Sequence, residues 1–178
     1  MGIRRVVTGH DEQGKAVFAS DEEVEPRTMA LMPGFELHWL WGGDTEPDFP
    51  DSGAQPPITT WFPPLHGFRF GFFTLPPAGT AEPTVDPEAG LAEADEKAPG
   101  LIGHIEPDNP GMHTSATVDF EVVMSGECVL ELDDGAERVL RPGDTVVQNG
   151  TRHRWHNRGD VPCTLAVILL GAHHRTLG

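Results

Sequence analysis

Cysteine is scarce, positive charge is sparse, and no apolar run is long. Only Cys128 and Cys163 occur among 178 residues, each inside an apolar, strand-like run. They read as reduced core residues rather than a disulfide framework, which points to a cytoplasmic protein. Neither has a His beside it in sequence, and an apolar setting raises a thiol's pKa, so neither reads as a nucleophile. Lys and Arg number 12 against 28 Asp and Glu, a formal net charge of −16. Phosphate backbones reward clustered Lys and Arg, so nucleic acid and anionic membranes are poor partners. The acidity promotes solubility and by itself says nothing about a substrate. No stretch reaches the length of a membrane span. The amino end, Met1 to Val7, is charged with no apolar segment or cleavage site behind it. The phosphate-cradling patterns G-x-x-x-x-G-K-[ST] and G-x-G-x-x-G are missing, as is the nucleophile elbow G-x-S-x-G.

What is present fits one domain, large enough to bury a core without staples. Ile3–Thr8 and Lys15–Ala19 predict a hairpin across a polar link. A lone hairpin is marginal in water, so it should dock on a larger sheet, in this subunit or a neighbour. Ser20–Met32 reads as irregular, Gly34–Trp41 as another strand, and the Pro- and Gly-laden Thr45–Pro64 as loop. Phe68–Leu75 predicts a strand with Phe68, Phe70 and Phe72 on one face and Arg69 on the other, towards solvent or a polar cavity. Ala78–Gly100 is acidic and Pro-rich, read as a mobile surface loop near a pocket mouth, with Ala89–Lys97 as its one helical option. Dense short strands follow from Pro110 to Leu170.

The chain is organised around Gly111–Asn157, where β-branched runs are punctuated by Gly and Asp as an antiparallel barrel requires. His113 and Asp119 lie six residues apart and share parity in an extended strand, so both face one side. His153 arrives from a later strand after the Asn149-Gly150 turn. Two imidazoles and a carboxylate converging inside a barrel suit a divalent transition metal with open positions.

This stretch resembles the two signature motifs of the cupin superfamily. The first has the form G-x5-H-x-H-x3,4-E-x6-G; counting back from Gly126, Asp119 takes the acidic position, Ser115 the second histidine position and His113 the first. The second has the form G-x5-P-x-G-x2-H-x3-N, matched by Gly143, Gly150, His153 and Asn157, with Gln148 in place of the proline and one residue fewer after Gly143 than the pattern has. The run resembles an uncharacterised bacterial and fungal subgroup that lacks the second histidine. The resemblance implies an all-β fold, an antiparallel double-stranded β-helix, or jelly roll. It divides the chain into an amino-terminal arm with an irregular segment (1–65), the barrel (66–172, with the acidic loop 78–100 inserted) and a tail (173–178). It also implies a ligand set of His113, Asp119 and His153 for iron, manganese, nickel or zinc, and a homodimer joined through the arm.

Two readings of the site stay open. In one, the metal polarises an oxygen of a small, apolar or aromatic substrate for lyase, isomerase, decarboxylase or dioxygenase chemistry. Glu121, which shares parity with Asp119 unless a bulge turns it outward, and Gln148 are then candidate catalytic residues or replacement ligands for the position lost at Ser115. In the other, the barrel is a metal-free module that binds a small ligand. A third, a purely structural dimerisation domain, predicts an interior filled by side chains. Trp155 shares parity with His153 and should face the interior, whereas His156 points to the other face and should be exposed. Phe70, Phe72 and Met124 are candidates for core or pocket lining, and His104 for the pocket rim. His173 and His174 offer only adventitious chelation.

Overall fold

The computed structural model describes residues 2–176; Met1 and the last two residues of the tail expected at 173–178 lie outside the described residues. The amino-terminal hairpin is β1 (Ile3–His10) and β2 (Ala16–Val24). It is longer than the apolar pattern indicates, because Ser20–Val24 continues the strand. Arg4–Asp21 and Arg5–Glu22 pair across it, so charge contacts extend a ladder that hydrophobicity does not mark. The Asp11 carboxylate accepts from Gln13 N and Lys15 N at 2.9 Å each and closes the turn.

The barrel has two sheets. The larger is ordered β3 (Arg27–Thr28), β4 (Glu36–Gly43), β5 (Phe68–Leu75), β11 (Cys163–Gly171), β6 (Thr117–Ser125), β9 (Thr145–Asn149). The smaller is β10 (Arg154–His156), β7 (Cys128–Glu131), β8 (Glu137–Leu140). Every pairing is antiparallel. The main sheet therefore begins at residue 27, ahead of the boundary at 65 that the motifs suggest. The core sits between the two sheets, built from Leu37, Phe73, Val123, Cys128, Cys163, Leu165 and Val167. At roughly 25 cal/mol per Å², burying such side chains is worth about 2 kcal/mol each.

Residues 78–100 are not a mobile loop throughout. They hold a helix, α1 (Pro87–Lys97), followed by a short turn of helix, α2 (Leu101–His104). Pro87 opens α1, and the Asp86 side chain caps it by accepting from Ala89 N at 3.0 Å. Eleven residues make a helix that is marginal alone, so tertiary contacts decide it. Gly90 and Ala94 are buried, Lys97 Nζ donates to Thr28 O at 2.7 Å, and Glu93 accepts from Ala30 N at 2.8 Å. The helix is thereby fastened to the segment that leads into β4.

Arg69 faces inward on β5 and is only 3% exposed. It donates to the carbonyls of Gly43 (2.8 Å), Phe68 (2.9 Å) and Thr60 (2.8 Å) and to Asp44 Oδ1 (2.5 Å). Asp44 also accepts from the Thr59 N–H and hydroxyl. One guanidinium thus ties the irregular 45–64 stretch to the barrel; the polar surroundings expected for Arg69 are these backbone carbonyls. Breaking a buried pair by removing one partner strands the rest, at a cost of about 3 kcal/mol. Arg69→Met is expected to lose that much in a urea titration. A loss under about 1 kcal/mol, typical of surface pairs, would show that the cluster is not effectively buried.

Candidate functional site

Between the sheets lies a cavity of about 540 Å³. His113, His153, Asp119 and Glu121 line it, as do the polar Thr80, Glu82, His156, Asn157 and Arg158; the rest is mostly aliphatic and aromatic. Strand alternation explains the carboxylates, since Asp119 and Glu121 are two apart on β6 and both face inward. The β6–β11 register shift falls at Thr164/Leu165, beyond both residues, so no bulge turns Glu121 outward.

The histidines are placed by backbone. His113 N donates to His153 O and His153 N to His113 O, both at 2.9 Å, which brings the ring centroids to 4.2 Å. His113 Nδ1 donates to Gly111 O at 3.0 Å, and His153 Nδ1 to Thr151 O at 2.9 Å. A carbonyl only accepts, so both Nδ1 atoms carry the proton and both Nε2 atoms keep a free lone pair. Burial lowers both imidazole pKa values, that of His153 to about 4, aided by its proximity to His113. Near neutral pH the two rings are neutral, the state in which imidazole ligates.

The carboxylates are raised. Burial lifts Asp119 to about 6, opposed by a hydrogen bond from Thr117. Burial and the neighbouring Asp119 charge lift Glu121 to about 8. Asp119 Oδ1 and Glu121 Oε2 are buried without a hydrogen-bond partner. Orphaned carboxylate oxygens cost free energy unless a proton, cation or ligand meets them. Two neutral imidazoles with free Nε2 and two unpartnered carboxylate oxygens are the donor chemistry a divalent metal requires.

The other candidates fall elsewhere. Ser115 is fully buried and hydrogen-bonded to the Thr117 hydroxyl at 2.7 Å, away from the cavity wall. Gln148 is also buried, but its amide donates to Thr151 O at 2.9 Å and to the Thr151 hydroxyl, and it does not line the cavity. Trp155 does face inward. Phe70 and Met124 are neither core nor lining: they and Phe72 lie on the outer face of the main sheet, because their parity opposes that of Phe73, Asp119 and Glu121. His104 is exposed, its ring 4.5 Å from that of Phe62, which in turn stands 6.0 Å from His113. His156 is half-buried rather than exposed, since Glu131 on β7 accepts from its Nε2 at 2.5 Å.

Glu131, Glu137 and His156 form the one group among the described residues with three donor atoms all within 4.8 Å of one another. Their charge is already matched. Hydrogen bonds from His156 and Arg154 lower the Glu131 pKa, and hydrogen bonds from Arg158 lower that of Glu137. It is an ion-pair network between β7, β8 and β10 rather than a vacant cation site.

Sequence reasoning missed most of the apolar wall. Leu31, Met32 and Phe35 precede β4, Trp61 and Phe62 end the irregular stretch, Leu101 opens α2 and Ile105 follows it. Apart from Phe35, inside the expected strand Gly34–Trp41, none belongs to a motif or a periodic run, so only the hydrophobicity of isolated residues in polar stretches marks them.

An antiparallel two-sheet barrel closing over paired histidines and carboxylates defines a cupin-type barrel. Residues 102–169 match the family model described as Cupin domain. The chain is 30% identical over 177 residues to the cupin-domain-containing oxidoreductase fogC of Aspergillus ruber, spanning 95% of this chain and 74% of that protein. It is 49% identical over 158 residues to the phomopsin biosynthesis cluster protein C' of Diaporthe leptostromiformis, spanning 86% and 70%. A sugar phosphate isomerase from a cupin superfamily of Silicibacter pomeroyi superposes with a TM-score of 0.46 at 19% identity, over 83% of this chain and 71% of that one. The chain belongs to the cupin-domain family. No helix among the described residues is long and apolar enough to cross a membrane.

Two predictions follow from the cavity. In metal-free protein the raised Glu121 pKa means that the folded state holds a proton the unfolded state releases. That stability is present below the unfolded value of 4.5 and is lost as pH rises towards about 8. Glu121→Gln should flatten the fall in melting temperature between those limits; an unaltered slope would assign it elsewhere. A Cβ on Gly90 of α1 would meet Leu31 Cγ at 2.6 Å, and Leu31 lines the cavity. Gly90→Ala should push Leu31 inward and weaken binding of an apolar dye several-fold; unchanged dye affinity would mean that α1 yields instead.

Proposed function

We propose that this chain is a cupin enzyme acting on a small hydrophobic molecule that carries an oxygen function, with oxidoreductase chemistry as in the named relative. One observation carries the reading: four titratable side chains, two with unpartnered buried oxygens, line a cavity that is mostly apolar apart from them and from Thr80, Glu82 and the His156–Arg158 segment. That asymmetry suits a ligand with an apolar body and one polar end. Phe73, Leu75, Leu101 and Leu169 shelter the body and exclude water, which strengthens every electrostatic contact at the polar end.

His113, Asp119 and His153 are the residues that would hold a divalent metal such as iron, manganese, nickel or zinc. Bound there, it supplies Lewis-acid polarisation of a substrate oxygen, and iron adds one-electron chemistry. Glu121 then has a distinct task. Unpartnered at Oε2 and facing the same cavity, it is placed to deliver a proton to a substrate oxygen or, once ionised, to take one from an adjacent carbon. The His113 and His153 rings stay fixed by their Nδ1 bonds to backbone, so the Nε2 atoms need no reorientation. The two buried free thiols fit a reducing, cytoplasmic setting.

A second reading, a metal-free module for the same class of ligand, is favoured by one observation. The donor atoms of His113, Asp119, Glu121 and His153 supply no group of three within 4.8 Å. Elemental analysis of untagged protein purified without chelators separates the two. The enzyme reading expects close to one metal per chain and a melting temperature that falls by about 10 °C in EDTA, the effect of losing a ligand held at a thousandfold excess over its Kd. His153→Ala should lose the metal and leave the barrel folded. Absent metal with an EDTA-insensitive melt would sink the metal site and leave the binding module.

A further inference from the structure

We propose that Ser115 and Thr117 are positioning residues, two hydroxyls in series behind the cavity wall that aim the Asp119 carboxylate into the cavity. Ser115 stands where the first motif has its second histidine, yet it does not reach the cavity. It is fully buried behind the lining, as is Thr117, whereas Asp119 forms part of that lining. Along the segment that enters β6 the three residues lie two apart, so their side chains follow one another on the same face. The Ser115 and Thr117 hydroxyl oxygens are 2.7 Å apart, and the Thr117 side chain hydrogen-bonds in turn to Asp119.

Proton counting gives the series its direction. A carboxylate only accepts, so the single Thr117 hydroxyl proton is committed to Asp119. Thr117 then accepts from Ser115, and the donation runs from Ser115 through Thr117 to Asp119. Hydrogen bonds to an ionised group are stronger than neutral ones, and members of a series polarise one another. The backbone beneath is fixed from two sides. Ala172 N donates to Ala116 O at 2.8 Å, and a Cβ on Gly150 would meet Ser115 O at 3.1 Å and Thr117 O at 3.3 Å, so the 149–150 turn packs directly on this segment. Two buried hydroxyls that satisfied only each other could be replaced by an apolar pair of the same shape at little cost. A pair whose last proton goes to a carboxylate cannot, because the carboxylate loses its restraint. Asp119 Oδ1 has no partner of its own, so the Thr117 contact is what limits rotation of the group. The series does for Asp119 what the Nδ1 contacts to backbone carbonyls do for His113 and His153.

This role rests on the reading of Asp119 as a metal ligand, and cobalt(II) titrated into untagged, chelator-treated protein tests it through the visible absorption of the bound ion. Thr117→Val keeps the shape and removes the hydroxyl. It should raise the cobalt Kd roughly 10–100-fold, the usual effect of losing a partner that orients a ligand. Thr117→Ser keeps the hydroxyl and should return the affinity close to wild type, which a role in packing alone would not do. Ser115→Ala, one bond further away, should weaken binding by less than Thr117→Val. Circular dichroism confirms that each variant is folded. Wild-type affinity in Thr117→Val, or a Thr117→Ser protein as weak as Thr117→Val, would overturn the proposal; an unchanged Kd in Ser115→Ala would overturn the part given to Ser115. Should wild type bind no cobalt, the metal reading fails by itself, and crystals of the metal-free variants decide the orientation. Asp119 turned out of the cavity in Thr117→Val but not in Thr117→Ser supports the series, and an unmoved Asp119 refutes it.

Discussion

The site depends on one reciprocal contact, the pair of backbone hydrogen bonds in which His113 and His153 each donate to the other's carbonyl. It joins two segments that are distant in sequence and sets the rings side by side. The shared residue type is secondary; what matters is that both backbones are extended and antiparallel at that point. Each ring is then held by a carbonyl two residues upstream, which leaves one nitrogen of each aimed away from its own backbone. The loops leading into the pair are braced in turn. Arg152 joins Glu106 and Asp133, and Arg154 joins Asn109 and Glu131, so surface ion pairs support the geometry of a neutral interior.

Alternation on β6 couples the inside of the barrel to its outside. Asp119 and Glu121 face the cavity, while Phe120 and Val122 face outward on the bare side of the sheet. A one-residue slip would exchange the two sets, burying aromatics in the polar wall and exposing carboxylates on the apolar face. The register is therefore selected twice, by the cavity and by the outer face. The inner face of the main sheet is itself divided, although Arg69 and Asp119 stand on one cross-strand row through Leu169. Arg69 and its carbonyls fill one region with satisfied polar contacts, whereas the cavity leaves carboxylate oxygens unpartnered. Carboxylate oxygens left unpartnered in one cavity are what a binding site looks like energetically.

Much of this was legible in the residues. Period-two alternation and Gly-Asp punctuation announced an antiparallel β fold, and parity alone put Asp119 and Glu121 on one face and Arg69 opposite Phe70. The motif spacing named His113 and His153. Other features resisted. The helix at Pro87–Lys97 is held by Lys97, Glu93 and two buried small residues, contacts with a segment some sixty positions away. Half-buried His156 gave the same parity signal as an exposed one, because Glu131 lies on another strand. Gln148 stood at a motif position, yet its amide is satisfied by Thr151 three residues on.

The sequence by itself determined the strand faces and the identity of the polar groups, since these follow from local periodicity and spacing, and its two motifs carried the resemblance to cupins. Tertiary structure alone decided which apolar residues wall the cavity, which carboxylate oxygens go unpartnered and which sheet face stays bare. Those properties depend on what a side chain meets from elsewhere in the chain, and no local pattern encodes a meeting between Leu31, Phe62 and Leu101.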